Sequence, residues 1–230
     1  MLYCAVISGG EPLIDRIRAE AIAPSVERIR LALGYLFVPG LEPIWDALEV
    51  SSAQEIHLLI GNTAGVLTDE QRIAAGNEVT ASDSAVAPKH DMAATARADR
   101  DRIVTETANG LRENLKRLPI TSENDRFILS LARAIGANRL RVRIYSEGRL
   151  HAKASLFEHT SATTLSVAIV GSSNLTLPAS DNPTELNVVL HDPDQVAAVA
   201  DWFDGLWDAG QDFTRALFTE ISARAAENSP

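Results

Sequence analysis

Two apolar runs flank one amphipathic stretch near the start of this chain, and that arrangement restricts its possible architectures more than any other feature. Ile29 to Val38 is dense in β-branched, aromatic and aliphatic residues and stops at Pro39-Gly40, which predicts a central strand. Leu41, Ile44, Trp45 and Leu48 then recur at helical spacing, and Glu55 to Gly61 is a second strand closed by Gly61-Asn62. Strand, helix and strand within about 35 residues form a βαβ unit, which predicts parallel pairing and a right-handed crossover.

The rest of the chain supplies further helices and strands. Residues 11–22 predict a helix with Pro12 at its start and Pro24 beyond its end. Residues 66–100 are rich in Ala, Asp, Thr and Ser and read as an insertion, partly helical and partly mobile. A helix over 98–118 carries Ile103, Thr107, Leu111, Leu115 and Leu118 on one stripe and ends at Pro119. Ser122 and Asp125 start another, which Gly136 closes. After the strand-rich middle, Asp192 caps a helix bearing Val196, Val199, Phe203, Leu206 and Trp207, and a last helix covers about 211–226. The whole predicts one α/β domain over 1–230, a mixed, largely parallel sheet of six to eight strands with helices on both faces.

Composition narrows the function classes. The chain has 230 residues, 46 % of them hydrophobic and 23 % charged, and no apolar stretch approaches the length of a membrane span. The first residues lack a charged leader and the single cysteine, Cys4, permits no internal disulfide, so a reducing, cytoplasmic setting is expected. A net charge of −10 argues against a surface that coats nucleic acid indiscriminately. Any nucleic-acid contact must be local. Arg139, Arg141, Arg143, Arg149 and Lys153 offer such a locality, with the three arginines alternating with Leu140, Val142 and Ile144 on one strand face. A solvated sheet face and a substrate groove lined by Arg141, Arg143 and Arg149 are equally open readings.

Three short segments carry chemistry. If 150–157 is extended, His151 and Lys153 project side by side, an imidazole and an ammonium suited to a phosphate. The run Val167 to Val170 ends in Gly171-Ser172-Ser173-Asn174, a buried strand feeding a tight turn where donors converge beyond the sheet edge. Glu185 and Asn187 then share one face of a strand, and a carboxylate there can orient His151 through one ring nitrogen while the other attacks. His57, His90, His159 and His191 read as structural or solvent-exposed, and no histidine pair has metal-ligand spacing, so neither a metal nor a cofactor is expected.

The order His-x-Lys, Gly-Ser-x-Asn and a following Glu resembles the phospholipase D superfamily, whose members cleave phosphodiester bonds through a phosphohistidine. The resemblance implies that His151 is the nucleophile or its acid partner, that Lys153 and Asn174 hold the phosphate, that Ser172 donates to it, with Ser173 beside it, and that Glu185 steadies the imidazole. The family pattern has Asp five residues after the Lys, in a mostly architectural role, where this chain has Glu158. The wording Leu-His-Ala-Lys and Gly-Ser-Ser-Asn-Leu-Thr looks most like the subgroup fused to bacterial Swi/Snf-type helicases, which implies a helicase or ATPase partner.

In-line displacement puts the attacking and leaving groups on opposite sides of phosphorus, so one imidazole cannot serve both. The sequence has no second His-x-Lys, which predicts a homodimer with the two His151 side chains facing each other. The expected activity is a metal-independent endonuclease acting on DNA or RNA. Lipid phosphodiester chemistry and a catalytically silent nucleic-acid-binding module are the rivals, and no membrane contact is expected.

Overall fold

In the computed structural model, the structure describes residues 4–8, 10–34, 36, 38–61, 96–148, 150–160, 164–173, 175 and 186–227. The strands are β1 (Cys4–Ser8), β2 (Val26–Leu33), β3 (Glu55–Gly61), β4 (Leu140–Tyr145), β5 (Lys153–His159), β6 (Val167–Gly171), β7 (Leu186–Leu190) and β8 (Gln211–Asp212). The helices are α1 (Gly10–Ala21), α2 (Glu42–Val50), α3 (Ala96–Arg117), α4 (Ser122–Gly136), α5 (Pro193–Ala209) and α6 (Thr214–Glu227). The strands form one sheet in the order β1-β7-β6-β5-β2-β3-β4-β8.

The βαβ unit is present, with β2 parallel to β3, and β4 extends the parallel block on the far side of β3. Every other pairing is antiparallel, so the sheet is mixed as expected, but its parallel character is confined to β2, β3 and β4. The reason lies after residue 150, where β5, β6 and β7 run back and forth as neighbours. β5 docks antiparallel on β2 rather than continuing the parallel block.

Each face of the sheet has its own core, because side chains alternate along every strand. One face presents Ile29, Leu31, Ile56, Leu58, Val142, Ile144, Phe157 and Ile169 to the side where α1, α2, α3, α4 and α6 lie. The other presents Ala32, Leu59, Ala154, Leu156 and Ala168 to Val196, Phe203 and Trp207 of α5. Arg30, itself 5 % exposed, pins that second layer. Its guanidinium pairs with Glu158 of β5 at 2.9 Å and with Asp204 of α5 at 2.9 Å.

Several boundaries differ from the expectations, each for a local reason. The first strand of the βαβ unit, β2, runs Val26–Leu33 rather than Ile29 to Val38, and Val38–Leu41 is a buried 3-10 turn leading into α2. Thr121, not Ser122, caps α4, its hydroxyl accepting the Asn124 N–H at 3.1 Å. The last helix begins at Thr214, because Gln211–Asp212 first pair with β4, after which Asp212 accepts the Thr214 N–H at 2.8 Å. Arg139 leaves the arginine row altogether and donates to the carbonyls of Leu48, Glu49, Ser51 and Ala53, closing the end of α2. The helix capped by Asp192 forms as expected, with both the Asp194 and Gln195 N–H groups held at 3.1 Å. The 66–100 insertion falls almost wholly outside the described residues, and α3 begins at Ala96.

Candidate active site

Because β2, β3 and β4 are parallel, their C-terminal ends meet at one rim of the sheet, and β5 starts from that same rim. Ligand sites in open α/β sheets form there, where strand order and direction change. Two glycines shape the rim. A Cβ on Gly34 would lie 3.1 Å from the Leu150 carbonyl and 3.7 Å from the His151 Cα. A Cβ on Gly61 would collide with the Gly34 carbonyl and stand 3.0 Å from the Leu150 carbonyl. The segment entering β5 therefore lies directly on the ends of β2 and β3, and hydrogen in place of a side chain is what lets it do so.

This seating brings His151 and Lys153 together. Lys153 Nζ lies 3.5 Å from His151 Nδ1, with the imidazole exposed and the lysine half-buried. Lys153 pairs across the sheet with Gly171 of β6, and Gly171 with Asn187 of β7. Any side chain at Gly171 would run into the Asn187 carboxamide. Asn187 is 1 % exposed and Ser173 4 % exposed, and the Asn187 amide donates to the Ser173 hydroxyl at 2.8 Å. A small pocket under the rim is lined by Lys153, Ser155, Gly171, Ser173 and Asn187 among aliphatic side chains. Ser172 is exposed, and its hydroxyl accepts the Leu186 N–H at 3.1 Å, tying the turn after β6 to β7. Lys153 and Ser173 thus share one pocket, with His151 beside Lys153 and Ser172 fastening the turn. Asn174, Glu185 and Arg149 lie outside the described residues.

The arginine row is elsewhere. Arg141 pairs in register with His57 and through it with Arg30, and Arg143 with Leu59 and through it with Ala32. Ala32 is opposite Ala154, not Lys153, so Arg141 and Arg143 project from the face under α5 while Lys153 and Ser155 project from the other. Arg143 donates to the Trp207 carbonyl at 2.6 Å and lies over the indole with its guanidinium 5.0 Å from the ring centroid. Arg141 is exposed and donates to Asn138 at 3.2 Å. The structure therefore does not bring Arg141 and Arg143 to the side of the sheet from which Lys153 projects. Glu158 is on the α5 side as well, held by Arg30, so the departure from the usual Asp falls in the packing layer rather than beside the imidazole.

The other described histidines each have neighbours of their own. His57 stacks on Trp207 at 4.4 Å and 10° between planes, and burial lowers its pKa to about 4. His159 Nδ1 is 3.2 Å from the Pro24 carbonyl, and His191 Nε2 is 3.2 Å from Arg16. What the sequence reading passed over is Ser155, which shares the side of Lys153. The signal was available: it is a lone hydroxyl at period two from Lys153 within an aliphatic strand.

A family model described as cardiolipin synthase, PLD-like domain, matches residues 20–207. The chain belongs to the phospholipase D-like family. That match spans all the pocket residues from Lys153 to Asn187. Among solved structures, the phospholipase D family member Nuc from Salmonella typhimurium is similar at 15 % identity and TM-score 0.47, covering 91 % of this chain and 97 % of that one. NucT from Helicobacter pylori is similar at 8 % identity and TM-score 0.48, covering 93 % of this chain and 100 % of that one. Phosphatidylserine synthase from Haemophilus influenzae is similar at 14 % identity and TM-score 0.48, covering 92 % of this chain and 40 % of that one. No curated protein matches this phospholipase D-like chain. Among the described residues, no helix is long and apolar enough to cross a membrane.

Proposed function

We propose that this phospholipase D-like chain is a metal-independent phosphodiesterase that cuts nucleic acid through a phosphohistidine on His151. The observation that carries the reading is the adjacency of His151 and Lys153 at the sheet rim, 3.5 Å apart, beside the pocket that holds Ser173. An imidazole nitrogen attacks phosphorus, the N–P bond forms and the bond to one ester oxygen breaks. Lys153, with Asn174, offsets the charge on the equatorial oxygens. Glu185 holds the ring nitrogen that does not attack. The departing oxygen takes a proton from a second imidazole, supplied by His151 of another copy in a homodimer. Water then attacks phosphorus with that second imidazole as base, the N–P bond breaks and His151 is restored. A helicase or ATPase partner is part of this reading, on the subgroup wording of the motif alone.

Incubation with plasmid and with single-stranded DNA in excess chelator tests the chemistry. Strand cleavage that persists in chelator and vanishes in His151→Ala is the expected result. Mobility shift without cleavage makes the chain a silent binding module, and cleavage that requires added magnesium overturns the mechanism. Anionic phospholipid vesicles run in parallel decide against lipid as substrate if headgroup release is absent. Mass measurement in solution tests the dimer, since a strict monomer that still cleaves removes the need for two imidazoles.

A further inference from the structure

Two adjacent serines follow β6, and the structure gives them different surroundings. Ser172 is exposed, and its hydroxyl is tied to the main chain of Leu186, accepting the N–H at 3.1 Å and donating to the carbonyl at 3.4 Å. The Ser172 N–H donates to that same carbonyl at 3.0 Å. Ser173 is 4 % exposed, and its hydroxyl accepts instead from the side chain of Asn187 at 2.8 Å. Of the two, it is Ser173 that lines the pocket lined by Lys153. The family resemblance gives the role of phosphate donor to Ser172, whose hydroxyl is engaged on β7.

The bond from Asn187 also decides what Ser173 can do. A carboxamide nitrogen donates and does not accept, and an ammonium has no acceptor either. The Ser173 oxygen therefore receives from Asn187, and its proton is left to be given to something other than that nitrogen or Lys153. Asn187 is held in this direction from its other side by Gly171, because its carboxamide fills the space where a side chain at Gly171 would stand. Gly171 is in turn the cross-strand partner of both Lys153 and Asn187. The pocket wall around these groups includes Leu13, Ile17 and Ile169. In such an apolar setting a hydrogen bond to an anionic oxygen is stronger than it would be at the surface.

We propose that the serine of this turn that donates to a bound phosphate is Ser173 rather than Ser172, and that Asn187 is the positioning residue that directs its proton. The proposal rests on the phosphodiesterase reading above for the reaction, and on the binding of phosphate alone for the site. Titration calorimetry of the full chain with inorganic phosphate tests the site, and kcat and KM on bis(p-nitrophenyl) phosphate test the role. We expect Ser173→Ala to lower phosphate affinity about tenfold and kcat by about 10- to 100-fold, through loss of one hydrogen bond to a charged group. Ser172→Ala should lower the melting temperature by loosening the turn, with kcat per folded molecule at least about fivefold above that of Ser173→Ala. Asn187→Leu keeps the branched outline of the side chain and removes the donor, so kcat falls as in Ser173→Ala, and joining the two substitutions lowers it no further. A merely structural Asn187 gives losses that multiply in the double variant. Asn187→Asp is the second check should the leucine variant fail to fold: its carboxylate takes the Ser173 proton, so the tie persists while kcat falls at neutral pH. Equal losses in Ser172→Ala and Ser173→Ala, multiplying losses in the double variant, or wild-type kcat in Asn187→Asp overturn the proposal. If the wild type binds phosphate but cleaves no diester, and Ser173→Ala weakens that binding more than Ser172→Ala, the phosphodiesterase reading fails and the donor assignment stands. If the wild type binds no phosphate, the assignment falls.

Discussion

Lys153 Nζ stands 3.5 Å from His151 Nδ1 because the chain entering β5 rests on Gly34 and Gly61. The ammonium is therefore already beside the imidazole before any ligand arrives. Lys153→Met keeps the length of the side chain and removes its charge. Cleavage by this variant is expected to fall by about 10² to 10³ in kcat, read from initial rates, with the melting temperature nearly unchanged because the lysine is half-buried at the rim.

Gly61→Ala probes the seat itself. The added methyl group meets the Gly34 carbonyl and the Leu150 carbonyl, both backbone atoms that cannot rotate away. We expect a loss of about 2 to 3 kcal/mol in urea unfolding and a cleavage rate lower than the unfolded fraction explains, because the displaced segment carries His151. A variant as stable and active as the wild type would show that the rim tolerates a wider gap.

Glu158→Ala separates packing from chemistry. It leaves Arg30, nearly buried, with Asp204 as its remaining carboxylate partner, and should cost about 2 kcal/mol in chemical denaturation. Since Glu158 faces α5 and Lys153 faces the other side, kcat per folded molecule should stay within about twofold of wild type. A drop in kcat comparable to that of Lys153→Met would place Glu158 in the chemistry after all.

His57 makes stability depend on pH. Burial holds its folded pKa at about 4, below the 6.5 of an exposed histidine. Between those values the unfolded chain binds more protons than the folded one, so stability from this ring is full above about pH 6.5 and is lost as pH falls toward 4. Between pH 7 and pH 5 the loss is about 2 kcal/mol, measurable as a shift in urea midpoint. In His57→Gln that part of the pH slope should vanish.

The sequence made some of this legible and hid the rest for identifiable reasons. The βαβ unit, the stripes of α3 and α5, and the pairing of His151 with Lys153 all follow from periods of 3.6 or 2, which local sequence carries. β1 and β8, five and two residues long, are too short to show a period. The arginine row was visible as one face of β4, but periodicity tells which residues share a face and not which face carries the site. The register of β5 on β2 decides that, through a contact between segments more than 100 residues apart, as in Arg30 with Glu158. Ser155 was overlooked because a serine in a strand looks neutral until its neighbours are known.

The position of β5 against β2 also has a consequence for how this protein comes into being. The central strand of the sheet waits for a neighbour encoded some 120 positions later, as in the pairing of Arg30 with Leu156, and pairing across such separations is slow to form. A nascent chain still on the ribosome therefore has the parallel block without the element that bears His151. The pocket that gathers Lys153, Ser173 and Asn187 therefore closes only after β6 and β7 have joined β5, so these side chains stay apart until the antiparallel half of the sheet is complete.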